Sequence, residues 1–160
     1  FVPEFLRERC AMDDFISNHN LLAVGTHDKF VFDKIVEAHG HYPKDTARLK
    51  PTEAEILKYY NNVFAAYKII FANIMSEVCG KLNCDYTTVK DAFVKFGRCK
   101  DTYLDVNENL KGYGGMCLPK DVKAMTKLLE KLDIDFDTFK SIDKDNSKLK
   151  TTVFNGMRKQ

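Results

Sequence analysis

The sequence predicts a mainly α-helical protein built on one long helix, with a short β-containing segment at its start. Ile56, Tyr60, Val63, Tyr67, Ile70, Ile74 and Val78 recur at alternating three- and four-residue steps, the period of one helix face. Leu57, Phe64 and Phe71 widen that stripe. Pro51 followed by Thr52-x-x-Glu55 reads as a helix start with a capping box, and the pattern runs to near Gly80, about 28 residues or roughly 40 Å. So broad an apolar face on so long a helix suits packing on both sides, against its own domain and a second subunit. The β-containing start rests on Leu21-Leu22-Ala23-Val24-Gly25, a short apolar run ending in glycine that reads as a buried strand.

Composition narrows the function classes. The 160 residues are 44% hydrophobic and 30% charged, enough for one compact domain with a sizeable core. Lys plus Arg number 25 against 23 for Asp plus Glu, so no charge excess points to nucleic acid or an anionic membrane. The basic residues near the end, Lys148, Lys150, Arg158 and Lys159, read as a solvated helix face or end. Five cysteines (Cys10, Cys79, Cys84, Cys99 and Cys117) without a C-x-x-C pair suggest a reducing compartment rather than a disulfide framework. His39-Gly40-His41 lacks a second ligand pair at suitable spacing and reads as a polar turn, so no metal is expected. No apolar run approaches the roughly 20 residues of a bilayer span and no signal peptide is visible, which makes a soluble cytoplasmic protein the expectation. The chain opens on Phe1 in what reads as a folded segment, so whatever preceded it is missing, cleaved or never belonged to it.

Between these landmarks, Phe30 to Ala38 predicts a short helix stopped near Gly40, and His41 to Lys50, with Pro43, reads as loop. Asp85 is placed to cap a helix from Tyr86 to Phe96 whose Val89, Phe93 and Phe96 face the core. Asp133 to Asp137 is an acidic connector. A moderately amphipathic segment follows it, with Phe136, Phe139, Ile142, Leu149, Val153 and Phe154.

The chemistry centres on Gly112-Tyr113-Gly114-Gly115-Met116-Cys117-Leu118-Pro119-Lys120-Asp121. Pro119 suits a first helical turn, and Val122, Met125, Leu128, Leu129 and Leu132 continue with helical spacing. Cys117 then sits at a helix N-terminus. The backbone N–H groups there, with Lys120 nearby, favour negative charge on sulfur. Asp121, four residues on, shares its helix face. These ten residues alone are compatible with a nucleophile or with an ordinary loop into a helix. Gly-Tyr-Gly-Gly-x-Cys-x-Pro-Lys-Asp, however, closely resembles the active-site motif of the UDP-glucose/GDP-mannose dehydrogenase family, and most resembles its UDP-glucose 6-dehydrogenase branch.

The resemblance extends to further segments in the same order. Pro3-Glu4-Phe5-Leu6-Arg7-Glu8 is similar to the family segment that leaves the nucleotide-binding domain and lines the sugar site, although Arg9 stands where the family usually has glycine. A helical turn there would put Glu4 and Glu8 on one side. Lys58 and Asn62, one turn apart, lie in Glu55-Ile56-Leu57-Lys58-Tyr59-Tyr60-Asn61-Asn62-Val63-Phe64, which resembles the second active-site segment. Gly97-Arg98 and Tyr103-Leu104 resemble the approach to the substrate loop, and the segment containing Asn146 resembles the family's long connecting helix.

On this resemblance, residues 1–50 are the reduced end of an NAD-binding domain, and residues 51–160 are the central dimerisation domain up to the start of the connecting helix. The implied function is NAD-dependent oxidation of UDP-glucose to the sugar acid. Cys117 would be the nucleophile, with Lys58 and Asn62 as oxyanion donors and Asp121 and Glu8 in acid/base roles. Glu4, Phe5, Leu6, Arg98, Tyr103 and Gly114 would contact the nucleotide sugar, Arg98 by its bidentate fork. Glu8 and Lys120 would face the cofactor. The implied partners are UDP-glucose and a second copy through the long helix, without nucleic acid or membrane. No Gly-x-Gly-x-x-Gly occurs, so the NAD site is expected outside this chain. Two alternatives stay open: a catalytically silent truncated dimerisation module, or an enzyme acting on GDP-mannose or another UDP-sugar.

Overall fold

A computed structural model describes residues 1–7, 10–109 and 111–149. Glu8 and Arg9, together with Lys150, Val153, Phe154, Arg158 and Lys159, lie outside the described residues. The protein is mainly helical, with one long helix and one two-stranded parallel sheet. It divides into two compact units, residues 1–60 and 61–160.

In the first unit, residues 1–7 carry no helix, so the turn expected to align Glu4 with Glu8 does not form over the part described. Phe1 instead exchanges bonds with Gly25: its amino group donates to the Gly25 carbonyl at 3.1 Å, and Gly25 N–H donates back at 2.7 Å. A short helix, α1 (Ala11–Ile16), follows. Strand β1 (Leu22–Gly25) then runs through helix α2 (Lys29–His39) into β2 (Thr46–Leu49), a βαβ unit with Leu22 opposite Thr46 and Gly25 opposite Leu49. Helix α2 ends at Gly40, whose φ of 59° continues the chain where an L side chain would be strained.

The structure corrects one reading here: 46–49 is strand, not loop. Thr-Ala-Arg-Leu is too short and polar to announce itself, and it becomes a strand by pairing with the fully buried β1. Gly25 is fixed by space, because a Cβ there would meet the Ala54 Cβ at 2.8 Å and the Pro51 Cα at 3.0 Å.

Arg7 and Asp14 tie the chain on either side of residues 8 and 9. The Arg7 guanidinium grips Asp14 at 2.6 and 2.9 Å, and the Arg7 backbone N–H donates to the same carboxylate at 2.8 Å. These bonds hold the Asp14 carboxyl down at about 2. A folded pKa below the ordinary value of 3.8 adds stability that is present above that value and lost as pH falls towards 2. Asp14→Asn removes that dependence. Paired melts of wild type and variant should differ by on the order of 1 kcal/mol near neutrality, the exposed guanidinium limiting the effect, and should converge as pH falls to about 2.

Helix α3 (Pro51–Lys81) has 31 residues, about 46 Å at 1.5 Å per residue. It begins with Pro51, two residues earlier than a Thr52 cap implies. The side chain reaching back is Glu53, which accepts from the Lys50 N–H at 2.8 Å, and Glu55 has no part in it. The residues this helix buries are mostly small or polar, namely Ala54, Asn62, Val63, Ala65, Ala66, Ile70, Ala72, Asn73 and Cys79, whereas Phe64, Tyr67, Phe71, Ile74 and Val78 are exposed. By length and composition α3 is apolar enough to cross a membrane, contrary to the expectation that no segment approaches this. Its closely packed alanine-rich side is equally that of a core helix.

The second unit gathers on that side. Val63, Ala66 and Ile70 of α3 meet Tyr113 of the glycine-rich loop, Val122 of α5 (Leu118–Lys131) and Ile142 of α6 (Thr138–Lys148). Helix α4 (Tyr86–Lys95) starts at the expected cap, where the Asp85 carboxylate accepts from the N–H groups of Thr87 and Thr88. Its packing differs from expectation. Val89, Phe93 and Phe96 are 42, 40 and 76% exposed, and the buried residue is Lys90. Helix α6 ends at Lys148, and Leu149 is already extended, so the described part of the expected long connecting helix spans 11 residues.

Candidate active site

Cys117 is the N-cap of α5, with Pro119 in the first turn, as the sequence predicts. Its thiol is exposed. Four residues on, the Asp121 N–H closes the first helical bond to the Cys117 carbonyl at 2.9 Å, and the Asp121 side chain turns inward to 1% exposure. A carboxylate so buried must be paired. Asp121 meets that requirement twice: Oδ2 accepts from the Asn62 amide Nδ2 at 2.6 Å, and Oδ1 takes the Lys120 ammonium at 2.6 Å. Asn62, also buried, accepts in turn from Asn61 Nδ2 at 3.1 Å. The second unit therefore joins Asn62 of α3 to Lys120 and Asp121 of α5, on the turn that Cys117 caps.

The loop before the cysteine is held by one side chain. Asn146 of α6 accepts from the Tyr113 N–H at 2.7 Å and donates to the Tyr113 carbonyl at 2.9 Å, satisfying both backbone groups of that residue. Gly112, at φ 77°, passes so close that a Cβ would stand 2.5 Å from the Asn146 Oδ1, and Gly115 is also left-handed at φ 83°. Gly114 lies half-buried between them. Tyr113 is itself 2% exposed. Burial, with the Asp143 carboxylate adding electrostatically, pushes its phenol well above the ordinary tyrosine range, and its hydroxyl has no hydrogen-bond partner among the described residues.

Four other expected residues, Glu4, Phe5, Leu6 and Lys58, lie in the first unit, and Arg98 and Tyr103 lie in the second. The Lys58 ammonium donates to the Glu4 carbonyl and lies 5.4 Å from the centre of the Phe5 ring. The Glu4 carboxylate accepts from the Leu6 N–H. Lys58 thus contacts both Glu4 and Phe5, and the Leu6 N–H is already engaged by Glu4. Arg98 is exposed in the turn after Gly97. Tyr103, at φ 69°, lies 5.4 Å over the Lys68 ammonium, while Leu104 is buried.

Sequence reasoning missed Lys90, whose ammonium reaches Asp105 at 2.7 Å, Asp101 at 3.0 Å and Asp91 at 3.2 Å. Those three carboxylates hold its pKa well above the ordinary lysine value in spite of burial. The available signal was a lysine in a helix followed by aspartates at 101 and 105. Among the described residues no three His, Cys, Asp or Glu side chains group as a metal site would require.

Residues 52–148 match the UDP-glucose/GDP-mannose dehydrogenase family, central domain. The chain belongs to that family. UDP-glucose 6-dehydrogenase YwqF of Bacillus subtilis is 31% identical over 145 residues, covering 91% of this chain and 32% of that protein. GDP-mannose 6-dehydrogenase of Pseudomonas aeruginosa is also 31% identical, covering 91% of the chain and 33% of that enzyme. Among solved structures, a UDP-glucose dehydrogenase from the hyperthermophilic archaeon Pyrobaculum islandicum superposes with a TM-score of 0.83 at 31% identity, covering 92% of this chain and 33% of the other. The chain spans about a third of the length of the family members it matches.

A dinucleotide does not fit the residues described. The turn from β1 to α2, Thr26-His27-Asp28, has no glycine. The Asp28 carboxylate itself caps the first turn of α2, accepting from the Phe30 N–H at 2.7 Å. It places a negative charge where a family of dinucleotide folds puts the pyrophosphate.

Proposed function

We propose that these residues are the central part of a nucleotide-sugar dehydrogenase that oxidises UDP-glucose to the corresponding sugar acid, with Cys117 as nucleophile. The observation that carries this reading is the buried Asn62–Asp121 pair beneath the helix turn that the exposed Cys117 caps. A buried carboxylate held at 2.6 Å by an amide fixes that amide's orientation, which is what an oxyanion donor needs.

The overall change, alcohol to carboxylate, removes two hydrides and consumes one water. NAD is the acceptor that the family resemblance implies; its dinucleotide fold is expected outside this chain, so the steps assigned to these residues are the others. The Cys117 sulfur adds to the aldehyde carbon of the half-oxidised sugar. A C–S bond forms, the carbonyl electron pair moves to oxygen, and the thiol proton ends there. Asn62 and Lys58 are the assigned donors to that oxygen. After the second oxidation has left a thioester, water adds to its carbon, the C–S bond breaks, and sulfur regains its proton as the acid leaves. Glu8 and Asp121 are assigned to that water, and Asp121 also orients Asn62. Arg98 and Tyr103 are assigned to the nucleotide, and Lys120 to the cofactor side. The exposed stripe Phe64, Tyr67, Phe71, Ile74 and Val78 is assigned to a second copy of the chain.

The coverage of about a third of each family member matched is equally consistent with a second reading, a catalytically silent dimerisation module. The similarity to GDP-mannose 6-dehydrogenase keeps the choice of sugar nucleotide open. One experiment addresses both. The protein carrying these residues, as its source makes it, is measured for intact mass and assayed for NADH formation with UDP-glucose and with GDP-mannose. The proposal expects a mass well above 18.4 kDa and two NADH per acid formed from UDP-glucose. A mass of 18.4 kDa without turnover overturns it in favour of the silent module, and turnover of GDP-mannose alone overturns the substrate.

A further inference from the structure

The segment from Arg98 to Asp105 carries Arg98 and Tyr103 and contains no helix or strand, so something else must fix its course. Four contacts do so. The buried Lys90 ammonium bonds Asp101 and Asp105, at 3.0 and 2.7 Å, from the middle of α4. The Lys68 ammonium donates to the Thr102 carbonyl at 2.8 Å, and the Tyr86 hydroxyl donates to the Leu104 carbonyl at 2.7 Å. Of these anchors, Lys90 alone binds the segment at two points four residues apart, which span Thr102, Tyr103 and Leu104.

Tyr103 needs such bracing. Its φ of 69° is a left-handed conformation that costs a non-glycine residue free energy and persists only where surroundings enforce it. Lys90 is 8% exposed, and a cation at that depth must keep its carboxylates. The aspartates are half or more exposed, so the lysine sets the position and the segment conforms to it.

We propose that Lys90 is a positioning residue for nucleotide binding: by holding Asp101 and Asp105 it fixes the loop that presents Arg98 and Tyr103 to the diphosphate end of the substrate. The inference rests on the nucleotide-sugar reading, and Lys90 touches no substrate. Losing the clamp should therefore weaken binding while leaving chemistry at Cys117 intact.

The test uses the full-length protein and four variants, Lys90→Gln, Lys90→Arg, Asp101→Asn with Asp105→Asn, and Arg98→Ala, measured for KM and kcat with UDP-glucose and for amide hydrogen exchange over residues 98–105. Lys90→Gln should raise KM about tenfold with kcat within about twofold, and should speed exchange across the loop. The paired aspartate variant should do the same without leaving a buried cation unpaired, which covers the case in which Lys90→Gln fails to fold. Lys90→Arg, which keeps the charge, should recover most of the loss. If Arg98→Ala raises KM while the clamp variants change neither KM nor exchange, the positioning role is wrong and the nucleotide-sugar reading stands. If Arg98→Ala leaves KM unchanged, that reading of the loop fails, and the proposal fails with it.

Discussion

In the full-length protein, Cys117→Ser is expected to abolish formation of the sugar acid, lowering its rate by at least about a thousandfold, while the fold is unaffected. Serine is nearly isosteric. The cysteine side chain is exposed and makes no cap hydrogen bond at the start of α5, so no packing is lost and thermal melts should superimpose. The difference is in reactivity: a hydroxyl is a far weaker nucleophile than a thiol unless a base stands beside it, and its ester would be slower to hydrolyse than a thioester. Because the first oxidation needs no covalent sulfur, NADH released per acid should change more than initial NADH release. A variant that makes acid at the wild-type rate would remove Cys117 from the mechanism. It would leave Asn62 and Asp121 as a structural pair.

The elements of this fold that were legible in the sequence are those with local causes. The Asp85 cap, the arrest of α2 at Gly40 and the start of α5 at Leu118, with Pro119 in its first turn, each depend on residues within one turn. The approximate extent of α3 was legible for the same reason, but the side of it that packs inward was not. Large apolar residues dominate its period, yet the buried face is the alanine-rich one, because neighbours approach most closely where side chains are small. Strand β2 escaped because its stability lies in its partner, and α4 was turned the wrong way because a lysine ringed by three carboxylates occupies the side expected for aromatics. The candidate site follows the same division. Cys117 and Asp121 were placed by helical spacing, whereas the contact between Asp121 and Asn62, 59 residues apart in sequence, is a product of tertiary structure.

That contact makes the second large effect a matter of charge. Asn62→Asp should destabilise the protein by about 3 kcal/mol near neutral pH, since it sets a second carboxylate against Asp121 where the amide nitrogen now lies at 2.6 Å. Two carboxylates at that distance cannot both stay ionised, so one takes a proton. The folded variant then binds a proton that its unfolded chain releases at neutral pH, and stability must rise as pH falls. Most of the loss should therefore be recovered by about pH 5. Asn62→Ala is the control. It leaves Asp121 with the solvent-exposed Lys120 as its remaining ion-pair partner and should cost about 2 kcal/mol, without the same recovery on acidification. Denaturant melts of the three proteins at pH 5 and 7 decide the matter. Equal losses for both variants at both pH values would mean that Asp121 does not carry its charge against position 62, and the buried pair would then be no basis for holding an oxyanion donor in place.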